Sequence, residues 1–449
     1  MIRTGWRVRG GLGWLLAANV LACGTSEPTK QPARPTSEAL TQPGTPPTPS
    51  KSETPNPPEL PEPPEPPEVA DAAASSINAV AIDLHRALAD RPGDLFISPA
   101  SIAIAFAMVH AGARAATEEE LARVFHLGKD GAKAREALAA TLARWSRAGG
   151  GVELAVANRL FGEKTVRFEA AYLAVARDSF AAPLEALDFK TAPQPARAQI
   201  NKWVAERTHD KIKDLLPPTA IDPTTRLVLV NAVYFKAGWG EPFLEPFTQP
   251  AKFHGSAGPR DVKMMARTDH LALAVVPDAK LRALELPYAG GEFAMVIVLP
   301  DAKDGLAAVE KRLTAAALAG WLEQLTPQRV ALKLPRFTIE PGEGLKLSAV
   351  LRGLGLRESF DPERADFTGM AAKTEQIYIS EAYHKAFIAV DEQGTEAAAA
   401  TAVVGRGGGM PPKDPPIEFT ADHPFLFLIR DTRSGAILFM GRLADPQAK

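Results

Sequence analysis

Apolar residues recur at helical spacing at Ile77, Val80, Ala81, Leu84 and Leu88, which predicts an amphipathic helix closed by the turn signal Arg91-Pro92-Gly93. The text DLFISPASIAIAFAMVHAGA then predicts a short strand and an apolar helix, with Ser98 as N-cap and Pro99 at the first helical position. Thr117 and Glu120 have the spacing of a capping box opening TEEELARVF. Residues 152–161 alternate as a strand does, and 200–216 carry the periodicity of a long helix stopped by Pro217-Pro218.

The second half of the chain changes period. RLVLVNAVYF, residues 226–235, is apolar almost throughout, as in a strand buried on both faces. Strands are predicted over 281–286, 292–299 and 330–339, a helix over 344–354, and a C-terminal hairpin from 425–430 and 436–440 joined by DTRSG. Helices gather early and strands late, which is the order of an α+β protein rather than of alternating βαβ units. No repeat or second linker interrupts residues 73–447. They are expected to form one large domain, although 449 residues would on length alone suggest about three.

The first seventy residues read differently. Arg3, Arg7 and Arg9 precede an apolar run ending at Ala22, the pattern of a cleaved export signal over 1–22. Val20-Leu21-Ala22-Cys23-Gly24 resembles a bacterial lipobox, in which Cys23 would be lipidated and hold the chain on the cell envelope, at the outer membrane or cell surface. Residues 23–70 form a linker whose proline-rich part ends in PELPEPPEPPE. Its composition cannot bury enough apolar surface to fold. About forty extended residues at ~3 Å each would reach on the order of 100 Å from the lipid.

Charge and composition narrow the function. A formal charge of −2 gives no basis for nucleic-acid binding. Cys23 is the single cysteine, which excludes an intrachain disulfide framework and a thiolate metal site. No HExxH, GxSxG, SxxK or phosphate-binding glycine loop occurs, and the eight histidines are not paired at ligand spacing. Glu381 and His384 have ExxH spacing, but in a strand they point to opposite faces. Catalysis, cofactors and metals are therefore not expected. Four polar residues interrupt apolar text, Ser98, Ser101, Asn231 and His384. Buried there, each must find a hydrogen-bond partner.

One stretch remains ambiguous from its residues alone. VDEQGTEAAAAT, residues 390–401, leaves an apolar run through Gly394 and continues in small side chains. Extended, it would present Thr395, Ala397, Ala399 and Thr401 on one face, with Glu396, Ala398 and Ala400 on the other. Thr395 could equally cap a short alanine helix. A glycine- and proline-rich segment, AVVGRGGGMPPKDPP, follows, and then IEFTADHPFLFLIRDTRSGAILFMGRL. In this order, the hinge and the C-terminal text resemble the serpin family, with the match running from about Ile77 to Pro446.

The resemblance implies a single large domain with a large central sheet that can accept the reactive loop, two smaller sheets and about eight to nine helices. It implies an irreversible inhibitor of serine endopeptidases, extending to cysteine endopeptidases, that acts as a monomer on a trypsin-like, elastase-like or subtilisin-like target. Cleavage would form an acyl-enzyme, and the freed loop would enter the sheet with the protease attached. A non-inhibitory binding or structural lipoprotein of the same fold is the alternative. Glu392, Gln393, Gly394 and Thr395 through Thr401 match the hinge, and the family's spacing puts the reactive bond at Gly408-Gly409, with Arg406 and Met410 as alternatives. Ser98, Ser101, Asn231 and His384 match a network that regulates sheet opening; Trp239 matches a tryptophan at the top of the sheet, and Arg336 a partner for Glu392. The glycine run and Gln393 depart from the family pattern.

Overall fold

The helix Pro99–Gly112 (α2) is apolar on every side and buried almost throughout, so it can exist only with protein all round it. Ser98 caps it, its side chain accepting from the Ser101 amide, and Pro99 stands at the first position. Around α2 the computed structural model describes residues 67–446 except 148, 150, 341 and 397–414. Among the described residues are nine α-helices and sixteen strands in two sheets, a mixed α+β architecture. The first helix, Pro67–Leu88 (α1), begins six residues before the expected start of the domain.

The central sheet has seven strands. Its order is Phe337–Ile339, Ile379–Val390, Gly394–Thr395, Leu227–Gly238, Glu153–Glu163 and Glu185–Leu187, with Leu345–Lys346 also paired to Ile379–Val390. Leu227–Gly238 is buried on both faces for a clear reason. Leu229, Val233 and Phe235 join the main core with α1 and α2, whereas Val228, Val230 and Ala232 pack with Ile200 and Val204 of the helix Pro193–Arg207. The other sheet has nine strands. Its nineteen-residue strand Gly258–Val276 pairs with Gln249–Gly255, Leu281–Pro287 and Thr326–Pro335, joining the two smaller sheets into one array.

Several local expectations are corrected. The helix expected over 200–216 is Pro193–Arg207; left-handed backbone at His209, Asp210 and Asp214 turns the chain away from helical geometry. Thr117 and Glu120 form no capping box. The helix Ala115–Val124 has Arg114 at its N-cap without a side-chain bond. Instead the Thr117 hydroxyl accepts from the Asp366 amide, and Glu120 accepts from the amides of Arg357 and Glu358. The helix Gly131–Trp145 was not anticipated. The strand expected over 330–339 breaks at Arg336, where the chain passes from the nine-stranded sheet to the seven-stranded one.

Candidate strand-acceptor site

The central sheet contains a slot. Ile379–Val390 and Leu227–Gly238 run parallel and pair from Ile379 with Leu227 up to Phe387 with Tyr234. Above that point Gly394–Thr395 lies between them. Thr395 is opposite Val390 on one side and Ala237 on the other, antiparallel to both strands. The first two residues of the predicted loop strand are therefore seated in the sheet. A bonded strand, not a helix cap, is the state of Thr395.

Close packing fixes this entry. A Cβ on Gly394 would lie 2.1 Å from the Ala237 carbonyl oxygen and 2.7 Å from Gly238 Cα. Only glycine allows the hinge to approach the neighbouring backbone so closely. The Thr395 side chain is fully buried, and its hydroxyl is 2.6 Å from that of Tyr288. Burial raises the Tyr288 phenol well above its ordinary range, with the Thr395 bond acting in the opposite sense, so it stays protonated. Trp239 stacks on Tyr288 at 4.8 Å between ring centres and donates from its indole to the Asp391 carbonyl at 3.0 Å. Its amide donates to the Gln393 carbonyl, and the Phe243 amide to that of Glu392.

The turn leading to the hinge is held by charge. Arg336 donates through Nε to Glu392 Oε1 at 2.7 Å and pairs through its other arm with Oε2 at 2.5 Å. Thr248 donates to the same carboxylate at 2.5 Å. The Glu392 side chain is only 3 % exposed and that of Arg336 32 %. Burial opposes ionisation of Glu392, but the Arg336 and Thr248 bonds outweigh it and its pKa falls below the ordinary value. At Asp391 burial wins and the pKa rises, although the carboxylate accepts from the amides of Gln393 and Gly394.

Beneath the slot, Asn158, Asn231 and His384 stand in one row across three strands. Asn231 Nδ2 donates to Ser101 Oγ at 2.8 Å and to Asn158 Oδ1 at 2.7 Å, while its Oδ1 meets His384 Nδ1. The Ser98 amide donates to His384 Nε2 at 3.1 Å. The imidazole must therefore carry its proton on Nδ1 and be neutral. Burial pushes the His384 pKa down to about 3. Ser101 Oγ donates to Asn158 Oδ1 at 2.9 Å, and Ser98 Oγ to the Leu438 carbonyl at 2.7 Å.

The structure thus brings Ser98, Ser101, Asn231 and His384 together, and places Trp239, Arg336, Glu392, Gln393, Gly394, Thr395 and Glu396 around the slot. Glu381 is separate from His384 and bonds Ser348 instead. Ala397, Ala398, Ala399, Ala400, Thr401, Arg406, Gly408, Gly409, Met410 and Cys23 lie outside the described residues. Sequence reasoning missed Asn158, Tyr288, Thr248 and Lys211. Asn158 had a signal, since it interrupts the apolar stripe of Leu154, Val156 and Leu160. Tyr288 had none, being 107 residues from its partner.

These features define a class: an α+β domain whose central sheet holds the first residues of its own loop between two parallel strands. The family model for serpins, described as serine protease inhibitors, matches residues 75–446. Leukocyte elastase inhibitors of Sus scrofa and Homo sapiens are 41 % and 40 % identical over 377 and 382 residues, covering 82 % and 83 % of this chain and 97 % and 99 % of theirs. Uncleaved ovalbumin superposes with a TM-score of 0.74 at 28 % identity, covering 84 % of this chain and 100 % of its own. Human thyroxine-binding globulin complexed with thyroxine gives a TM-score of 0.76 at 25 % identity, with coverage of 84 % and 100 %. The chain belongs to the serpin family. It is a serine protease inhibitor and not a catalyst.

Proposed function

We propose that this protein traps a serine protease by inserting its own cleaved loop, and that the target is an elastase-like enzyme. The observation that carries the mechanism is the seating of Gly394–Thr395 between parallel neighbours. Parallel pairing is slightly weaker per residue than antiparallel pairing. A strand continuing downward would replace one parallel ladder by two antiparallel ones. Counting on in the same register, six residues bring Thr401 opposite Asn231 on one side and His384 on the other. Its hydroxyl would enter the polar row at the point where the present Asn231–His384 bond must part. The inward-facing residues on the way, Ala397 and Ala399, are small enough to cross the packed layer.

The leukocyte elastase inhibitors among the relatives support an elastase-like target; a reactive bond at Gly408-Gly409, with no bulky side chain on either side, would suit such an enzyme. Residues 1–22 and 23–66 would supply an export signal and a proline-rich tether, the helix Pro67–Leu88 taking up the last four residues of the expected linker, with Cys23 lipidated to hold the inhibitor on the cell envelope. The test mixes the chain with elastase, trypsin and subtilisin and separates the products under denaturing conditions. A covalent complex with elastase, and mass spectrometry placing the cut at Gly408-Gly409, is the expected result. Clean cleavage by all three without a complex would refute the trap. A ligand-binding role beside inhibition is the second reading, favoured by the likeness to a thyroxine-binding globulin complexed with thyroxine.

A further inference from the structure

The hinge stops abruptly after Thr395. The next residue, Glu396, has left-handed backbone with φ 51°, a conformation disfavoured for a residue with a Cβ. A strand cannot continue through it. Its amide still donates to the Ala389 carbonyl at 2.9 Å, so Glu396 begins on the line of the strand and is then turned out of it. One carboxylate oxygen pairs with the Lys211 ammonium, and the other is buried without a hydrogen-bond partner among the described residues. Lys211 comes from the irregular segment that follows the helix Pro193–Arg207, just after left-handed His209 and Asp210. Its ammonium also lies 5.5 Å from the centre of the Phe387 ring, on the strand that borders the slot. One lysine thereby touches the segment above the sheet, the acceptor strand and the arrested hinge.

We propose that Lys211 is a positioning residue that holds Glu396 in its left-handed turn and so arrests the uncleaved loop at Thr395. This rests on the insertion reading above. To go further, Glu396 must leave the left-handed region and become extended. The ion pair with Lys211 stabilises the state before that step, and left-handed strain in Glu396 favours the state after it. The balance between the two sets how fast a cut loop enters.

Four variants of the full chain test this: Lys211→Met, Lys211→Arg, Glu396→Ala and Glu396→Gly. With excess elastase cutting the loop, the rate of insertion is followed by stopped-flow tryptophan fluorescence, since Trp239 is packed beside the hinge. Lys211→Met is expected to insert faster than the unsubstituted chain, by up to about fivefold for a pair of this partial exposure. Lys211→Arg should restore the original rate. Glu396→Ala and Glu396→Gly both lack the carboxylate, but glycine is at ease in the left-handed region, so the glycine variant should insert about fivefold more slowly than the alanine one. If the unsubstituted chain inserts and Lys211→Met inserts at the same rate, the arrest by Lys211 is wrong while the insertion reading stands. If the unsubstituted chain is cut without any insertion, both are overturned.

Discussion

Acid should loosen the central sheet through His384. In the native sheet its Nε2 accepts from the Ser98 amide and its Nδ1–H donates to Asn231, so protonation would remove the acceptor and bury a charge. Burial holds the folded pKa at about 3, against 6.5 for the free side chain. Because the unfolded chain takes up a proton first, the stability this group supports is fully present above about pH 6.5 and is lost as the pH falls toward about 3. Near pH 5 the loss amounts to about 2 kcal/mol, rising by about 1.4 kcal/mol for each further unit down to the folded pKa. Urea unfolding of the full chain at about pH 7 and about pH 5, compared with His384→Gln, measures it. His110, which burial together with Arg135 and Arg114 lowers to about 4, acts equally in both proteins and cancels. The variant should be less stable near neutrality but lose about 2 kcal/mol less on acidification. An identical pH dependence in the two proteins would refute the reasoning.

Three further outcomes are expected. Gly394→Ala should expel the hinge, because the added methyl would overlap the Ala237 carbonyl; proteolysis would then cut near Gly394 and Thr395, which resist it in the parent. Arg336→Ala should cost about 2 kcal/mol in urea unfolding, more than an exposed pair, since Glu392 is left buried with Thr248 as its side-chain partner. Thr395→Val and Tyr288→Phe should each cost about 1–2 kcal/mol by orphaning a buried hydroxyl, whereas the double variant should cost less than the sum by about 1 kcal/mol; strict additivity would show that the hydroxyls do not interact.

What could be seen in the sequence was whatever local spacing decides. Ser98 and Pro99 mark the start of α2 because capping depends on neighbours three residues apart. The double burial of Leu227–Gly238 was visible as an unbroken apolar run. No local signal stops the helix expected to reach residue 216; helical spacing persists, but left-handed His209, Asp210 and Asp214 break it, while Leu215 and Leu216 are buried in the core with Ile200 and Val204. Thr117 and Glu120 had the right spacing for a cap, yet the amides of a segment more than two hundred residues away claim both side chains. The four polar residues beneath the slot stood out as exceptions to apolar text. The bonds of Asn231 with Asn158 and His384 depend on strand register, which no single strand reveals. For the same reason the state of Thr395, ambiguous between cap and strand, was decided by Tyr288 from a remote strand end.

The most direct test of the central claim compares the melting temperature of the intact chain with that of the chain nicked once in the segment 405–414. If the sheet is waiting for its last strand, the nicked form should melt higher by at least about 6 °C, the shift that about 5 kcal/mol would give a domain of this size. Equal melting temperatures, with the nick confirmed by mass, would contradict the account.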